Sequence, residues 1–496
     1  MLTNPLNDTS LPLFDLRPPV PPLPSRPYGK AALGQYMTPS SIAHFMASLF
    51  PTTPQVKYFH LLDAGAGRGA LTVAFLERWR AGTYTFQHGD VSLFEYDEMM
   101  LAALKANIDD ARLGLDLNAH IYHQDFVEVA SSLVLRGERL FSHAILNPPY
   151  KKISSNSLHR NHLRKAGIET VNLYSGFVAL ALSLLRPGGQ MVAIMPRSFC
   201  NGPYYRYFRE YIINNSALRH IHIFKSRDKA FKDDNVLQEN IIIMLERDGK
   251  QENVVVSQST DGTFEDYIMT EYPFSSIVHK NSRENFIYIP SEGKMNFLPS
   301  AVNSLSSLGI NVSTGPVVDF RLKEYLHAMP EVGDVPLLYP AHFNGDMHWP
   351  KKDFKKANAI SVCPDTIKWL YPNGWYVVVR RLSSKEEKKR IMANIVNPRY
   401  FTGMKFLGFE NHLNVFHQNK EGISENIARG LACYLNSTNI DSIFRSFNGH
   451  TQVNATDLRS LLYPSLELLS NIGEWSKKYT FISQEDIDKH MERLLR

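Results

Sequence analysis

A chain of 496 residues, 44% hydrophobic and 21% charged, is too long for one ordinary core and too apolar to stay disordered, so two or three globular domains are expected. No apolar run approaches a membrane span, and the N-terminus lacks a basic segment followed by a hydrophobic stretch, so neither an anchor nor a secretory signal is predicted. The net charge of +5 hints only mildly at a polyanionic partner, and Cys200, Cys363 and Cys433 are too scattered for a metal site or a disulfide framework, which fits a reducing, cytoplasmic setting.

The first thirty residues hold eight prolines, including Pro18-Pro19 and Pro21-Pro22, and read as an extended arm (1–30). From 31 to 250, apolar runs at Phe59–Asp63, Val91–Glu95, Ala119–Tyr122, His143–Leu146, Met191–Met195, His220–Phe224 and Ile241–Leu245 alternate with helical stretches such as Leu71–Arg80 and Leu173–Leu185. That rhythm predicts right-handed βαβ units and a doubly wound, mostly parallel α/β sheet of seven strands. The last two runs are joined by a polar loop, Lys225–Asn235, which suits an antiparallel hairpin at one edge. Beyond Asp248 the rhythm breaks; residues 251–300 read as a connecting linker and 301–496 as a second, mixed α/β domain closed by helices near Ile423–Asn436 and Gln484–Arg496. Residues 351–400 carry twelve Lys/Arg against four Asp/Glu, interleaved with Trp369, Trp375 and Tyr376, a composition that suits a phosphate backbone or a solvated surface.

Asn147-Pro148-Pro149-Tyr150 follows the apolar run Ala144-Ile145-Leu146, at the strand end where open α/β sheets place their ligands. Two prolines fix φ and remove two N–H donors, leaving a stiff shelf of one amide, backbone carbonyls and an aromatic ring. Such a shelf grips an amino group conjugated to a flat ring. Earlier in the chain, Asp63-Ala64-Gly65-Ala66-Gly67-Arg68-Gly69 runs from strand to glycine turn to helix, letting a ligand approach the backbone and favouring a negative group at the helix N-terminus. Taken alone, a Gly-x-Gly-x-Gly turn serves a tight structural turn equally well. Two further strand tips carry acceptors: Glu95, placed as carboxylates that bind ribose hydroxyls often are, and Asp125, beside the flat ring of Phe126.

In this order the motifs resemble the gamma-class DNA adenine-N6 methyltransferases of type II restriction–modification systems, the TaqI-like and BsuBI/PstI-like enzymes. Gly34-Gln35-Tyr36-Met37-Thr38-Pro39 stands where that class carries a cofactor motif, and Asn172-Leu173-Tyr174, Leu185–Gly189 and Val236–Ile241 match its later landmarks. The resemblance covers roughly residues 30–250. It implies S-adenosylmethionine as cofactor, with Asp63, Gly65 and Gly67 shaping the pocket for its methionine half and Thr38 and Pro39 lining that end. Glu95 would hold the ribose, Asp125 the adenine amine, and Phe126 would pack on that adenine. Asn147 and the Pro148 carbonyl would accept from the target amine, Tyr150 would stack on the target base, and Phe231 is the candidate for the opposite face. The substrate implied is double-stranded DNA. The partner is a separate restriction endonuclease reading the same site, since no nuclease metal centre is evident, and the enzyme is expected to act as a monomer.

In the second domain, Phe447–Leu458 resembles a target-recognition segment of the BsuBI/PstI-like branch. Asn448, His450, Gln452 and Asn454 are then candidates for base edges, because Asn and Gln pair bidentately with adenine. The segment could equally be a polar loop capping a helix, with Thr456 or Asp457 at the cap. Arg380 and Arg381 could read guanine, grip phosphate or lie idle at the surface. The nearest rival is a methyltransferase acting on ribosomal RNA or a protein glutamine amide. Cytosine-N4 enzymes more often have Ser in place of Asn147, a dehydrogenase has no use for the Pro-Pro shelf, and a catalytically dead DNA-binding module is disfavoured because no expected position looks degraded.

Overall fold

The computed structural model describes residues 38–52, 56–226, 239–278, 284–290, 300–343, 347–384, 386–448 and 451–495. Two compact units divide the chain, residues 1–289 and 290–496.

In the first unit the strands β1 (Tyr58–Ala64), β2 (His88–Phe94), β3 (Leu117–Tyr122), β4 (Phe141–Leu146), β5 (Leu185–Pro196), β6 (Ser216–Phe224), β7 (Asn240–Arg247), β8 (Val254–Ser259) and β9 (Ile268–Tyr272) form one sheet. Their order is β3-β2-β1-β4-β5-β7-β6-β8-β9. β1 pairs in parallel with both β2 and β4, so the order reverses there and a crevice opens at their carboxyl ends.

Helices α1 (Ser40–Ser48), α2 (Ala70–Arg80) and α3 (Glu98–Ala111) cover one face; α4 (Phe126–Leu135), α5 (Leu158–Lys165), α6 (Leu173–Leu184) and α7 (Arg206–Asn215) cover the other. The strand side chains divide between these layers with the period of two that pleating requires. Phe59 and Leu61 of β1 join the first core, Leu62 and Ala64 the second; in β5, Val192 and Ile194 join the first, Met191, Ala193 and Met195 the second.

The sheet is thus larger than the seven strands expected. Residues read as a linker supply β8, parallel to β6, and β9, antiparallel to β8. Val254, Val256 and Ser257 are buried by that pairing. β6 and β7 are antiparallel as expected, but β7 inserts between β5 and β6, so the pair is interior rather than an edge hairpin.

The second unit holds a four-stranded antiparallel sheet, in the order Asn311–Thr314, Leu413–His417, Tyr376–Arg380, Ala393–Val396. A five-stranded sheet is centred on Asp334–Leu338, and the chain closes with helices. Among these, Glu425–Leu435 and Leu466–Ser476 pack backbone to backbone. A Cβ at Gly430 would lie 1.8 Å from the Leu469 carbonyl, and one at Gly473 1.9 Å from that of Asn426. Gly430→Ala is therefore expected to destabilise this unit by about 1–3 kcal/mol through forced separation of the helices. Urea unfolding checks this, and an unchanged midpoint contradicts it.

Candidate active site

The glycine turn after β1 folds onto the tip of β2. Gly65 and Gly67 take φ of 80° and 56°, a region that L side chains rarely adopt. The amides of Gly65 and Ala66 both donate to the Phe94 carbonyl at 2.9 Å, and that of Gly67 donates to Glu95 Oε2 at 2.7 Å. Oε1 of Glu95 accepts from the Asp97 amide at 2.7 Å. Glu95 therefore ties turn and strand together. Burial pushes this carboxyl up, against the lowering by those amides.

Asp63 is fully buried. Its Oδ2 accepts from the Thr72 hydroxyl at 2.7 Å, whereas Oδ1 has no hydrogen-bond partner among the described residues. Burial, reinforced by the charge of Glu95 and opposed by Thr72, raises its carboxyl to about 7. Asp63 thus retains a proton in the folded chain that it would release near 3.8 when unfolded. Its contribution to stability is complete below that lower value and is lost as pH rises through the folded one. Melting temperatures measured between pH 4 and 8 should accordingly fall less steeply for Asp63→Asn than for the parent chain; parallel curves would contradict this assignment.

At the tip of β3, Asp125 caps α4, its Oδ1 accepting from the amides of Val127 (2.8 Å) and Glu128 (3.4 Å). Its Oδ2 lies 2.6 Å from His159 Nε2 on α5. Burial pushes the Asp125 carboxyl up, but the His159 bond and charge and the two amides outweigh it and hold the group below its ordinary value. Phe126 is buried, with ring centroids 5.3 Å from Phe94 and 5.0 Å from Phe177. It belongs to the hydrophobic core on that face of the sheet.

β4 delivers the shelf. Asn147 Nδ2 donates to Thr38 Oγ1 at 2.9 Å, and the Tyr150 hydroxyl donates to Asn147 Oδ1 at 3.2 Å. The bond to Thr38 defines which atom of the amide is the acceptor. Pro39 precedes α1, its carbonyl accepting from the Ala43 amide at 3.0 Å. Pro148 is buried, while Tyr150 is half-buried and meets Tyr174 edge-on, centroids 6.1 Å apart. The turn and the shelf adjoin: a Cβ on Gly65 would come within 3.9 Å of the Asn147 carbonyl, and one on Gly67 would meet nothing within 4 Å.

Gly34–Met37, Phe231 and Val236–Gln238 lie outside the described residues. Two groups of the crevice were not anticipated. Tyr205 accepts from Asn172 Nδ2 at 2.7 Å and packs against Tyr174, and His159 reaches Asp125. Neither has a local sequence signal, because each pairing spans about thirty residues.

In the second unit the candidate base contacts Asn448 and Asn454 are corrected. Asn448 is buried; its Oδ1 accepts from Arg390 at 2.9 Å, and its Nδ2 donates to the Gln452 carbonyl and to Asp457 Oδ2. With its amide enclosed by these groups, it cannot meet a base edge. Asn454 is the N-cap of the helix Ala455–Arg459, in a capping box with Asp457, so the capping alternative holds with the cap itself just ahead of Thr456 and Asp457. Gln452 is exposed, and His450 lies outside the described residues. Arg380 pairs with Glu387, and Arg381 donates to the Asn411 carbonyl at 3.0 Å. Arg390 is fully buried, whereas Lys352, Lys355 and Lys388 are exposed.

Together, a strand–glycine-turn–helix, acidic groups at successive strand tips and a nine-stranded sheet built on the order 3-2-1-4-5-7-6 give the doubly wound framework of an S-adenosylmethionine-dependent methyltransferase, the class to which its relatives below belong. The residues present fit that cofactor: a buried Asp63 carboxyl oxygen with no partner among the described residues and open space above Gly67, with the Glu95 carboxyl at the neighbouring strand tip, suit a cationic amino acid joined to a ribose. Residues 72–231 match the family model described as Eco57I restriction-modification methylase. The chain is 50% identical to the type II methyltransferase M.BsuBI of Bacillus subtilis over 94% of each chain. It is 42% identical to the type II methyltransferase M.PstI of Providencia stuartii, covering 90% of this chain and 89% of that one. A cryo-EM structure of a DrdV–DNA complex shares the fold at a TM-score of 0.51 and 14% identity, over 90% of this chain and 57% of that one. The chain belongs to the type II methyltransferases of restriction–modification systems, and S-adenosylmethionine is its cofactor.

Proposed function

We propose that this crevice takes one adenine out of duplex DNA and directs a methyl group onto its N6. DNA methylation is thereby the protective half of a restriction–modification system whose endonuclease is a separate protein. The observation that carries the reading is the Asn147 amide, held by Thr38 with its oxygen turned to Tyr150, beside a turn suited to the cofactor. Bound S-adenosylmethionine supplies an electrophilic methyl on a sulfonium; Asp63, Gly65, Gly67, Glu95 and Asp125 would hold it, with Thr38 and Pro39 at its methionine end.

The chain's own residues deal with a poor nucleophile, since the lone pair of an adenine amine is delocalised into its ring. Asn147 Oδ1 and the Pro148 carbonyl accept from the two N–H groups in a non-planar arrangement, which favours a tetrahedral nitrogen. An amide does not take up the proton at neutral pH, so Asn147 acts by positioning and electrostatic stabilisation. In the chain as it stands, the Tyr150 hydroxyl occupies that acceptor, and the target amine replaces it while the ring stacks on the base. Extrusion from the duplex costs a few kcal/mol, partly offset by this stacking.

The second unit is the target-recognition part of this reading, with exposed Gln452, Lys352, Lys355 and Lys388 as its candidates for DNA contact. Among the described residues no helix is long and apolar enough to cross a membrane, and the enzyme is taken to work as a monomer in the prokaryotic cytoplasm. No observation favours ribosomal RNA or a glutamine amide as substrate.

Asn147→Ala should lower methyl transfer from labelled S-adenosylmethionine to plasmid DNA by a factor on the order of a thousand or more while leaving cofactor affinity within a few-fold. Near-normal turnover in this variant would overturn the mechanism. Tyr150→Phe should retain most activity because the ring still stacks, whereas Tyr150→Ala should lose at least about tenfold. Equal losses in the two would show that the hydroxyl, not the ring, is what matters.

A further inference from the structure

Asp125 is the acceptor assigned above to the adenine amine of the cofactor, and its carboxylate is already engaged on both oxygens. Oδ1 takes the two amides at the start of α4, and Oδ2 takes His159 Nε2 at 2.6 Å. A carboxylate offers about four lone-pair sites, so capacity for a single further donor remains, on Oδ2.

His159 does not reach this position by accident of a loose loop. It sits in the first turn of α5, which Ser157 caps by accepting from the Arg160 amide at 3.2 Å. Arg160, buried, pairs with Glu169, and Arg164 Nε donates to the other oxygen of Glu169 at 3.0 Å. Leu163, fully buried, is seated against Gly176 of α6, where a Cβ would come within 2.8 Å of its Cδ1. The helix is thus clamped at three points and holds the imidazole against the carboxylate. α5 also belongs to the connection that leaves the Asn147–Tyr150 shelf and enters α6, where Lys152 bridges Asn172.

We propose that His159 is a positioning residue for cofactor recognition: by donating to Asp125 Oδ2 it fixes the carboxylate so that its remaining lone pair selects a ligand with an exocyclic amine. The inference rests on the assignment of Asp125 to the cofactor's adenine. Anchoring at two oxygens removes the torsional freedom of the acceptor, and a charge-assisted bond is strong enough to do so. The imidazolium is itself favoured by the pairing, which raises His159 above its ordinary value.

Calorimetric binding of S-adenosylhomocysteine and of S-inosylhomocysteine, which carries a carbonyl where adenine carries its amine, tests this on the full chain without turnover. The parent protein should prefer the adenosyl ligand. His159→Ala should reduce that preference by about tenfold, and His159→Gln, whose amide can still donate, should restore most of it. A merely structural role would weaken both ligands equally and leave the ratio alone. An unchanged ratio in His159→Ala, or a Gln variant no better than Ala, overturns the role of His159, provided Asp125→Ala abolishes the preference. If Asp125→Ala keeps it, the assignment of Asp125 itself is what fails.

Discussion

The parallel pairing of Leu61, Leu62 and Asp63 with His143, Ala144 and Ile145 sets the separation between the glycine turn and the Asn147 shelf. It brings the end of β1, with its glycine turn, beside the end of β4, with its amide shelf, at the point where the strand order reverses. A register shift of one residue would turn every side chain of β4 to the opposite face, so burial in both helical layers protects the geometry of the site. Thr38, joined to Asn147 just ahead of α1, links the helix layer to the same point. The shelf needs both sources of rigidity: prolines for the backbone and the threonine for the amide.

Electrostatics in the crevice follow from how each carboxylate is paired. Glu95 and Asp125 are stabilised by backbone amides, and Asp125 by an imidazole as well. Asp63 is hydrogen-bonded by Thr72, not enough to offset its burial, and is left with a raised affinity for its proton. A cation placed beside it would restore its ionised form, which is the behaviour expected of a pocket meant for a positively charged ligand. The acidic groups therefore differ in state: Glu95 and Asp125 are anchored by several donors, and Asp63 holds its proton.

The first unit was largely legible because its signals are local. Buried parallel strands read as continuous apolar runs, and glycine or proline marks where each ends, so Asp63, Glu95, Asp125 and Asn147 could all be placed at strand tips from their neighbours alone. β8 and β9 were missed because Val254–Ser259 mixes valines with polar residues and Ile268–Tyr272 is an outer edge strand that remains exposed. The second unit shows a different limit. An asparagine that closes a buried network with Arg390 and one that reads a base have the same composition, and only burial separated Asn448 from that role. The basic run 351–400 likewise mixes internal ion pairs, such as Arg380 with Glu387, with exposed lysines. His159 could not be foreseen, since nothing near residue 159 signals a partner at 125.

The central claim is that the shelf at Asn147 presents its two acceptors to the N6 amine of adenine. Mass spectrometry of nucleosides, after digestion of plasmid DNA incubated with the protein and isotope-labelled S-adenosylmethionine, tests it most directly. The account predicts that the labelled methyl is recovered as N6-methyladenosine of the deoxy series. Recovery as N4-methylcytosine, or of label in RNA or protein instead of DNA, would contradict it.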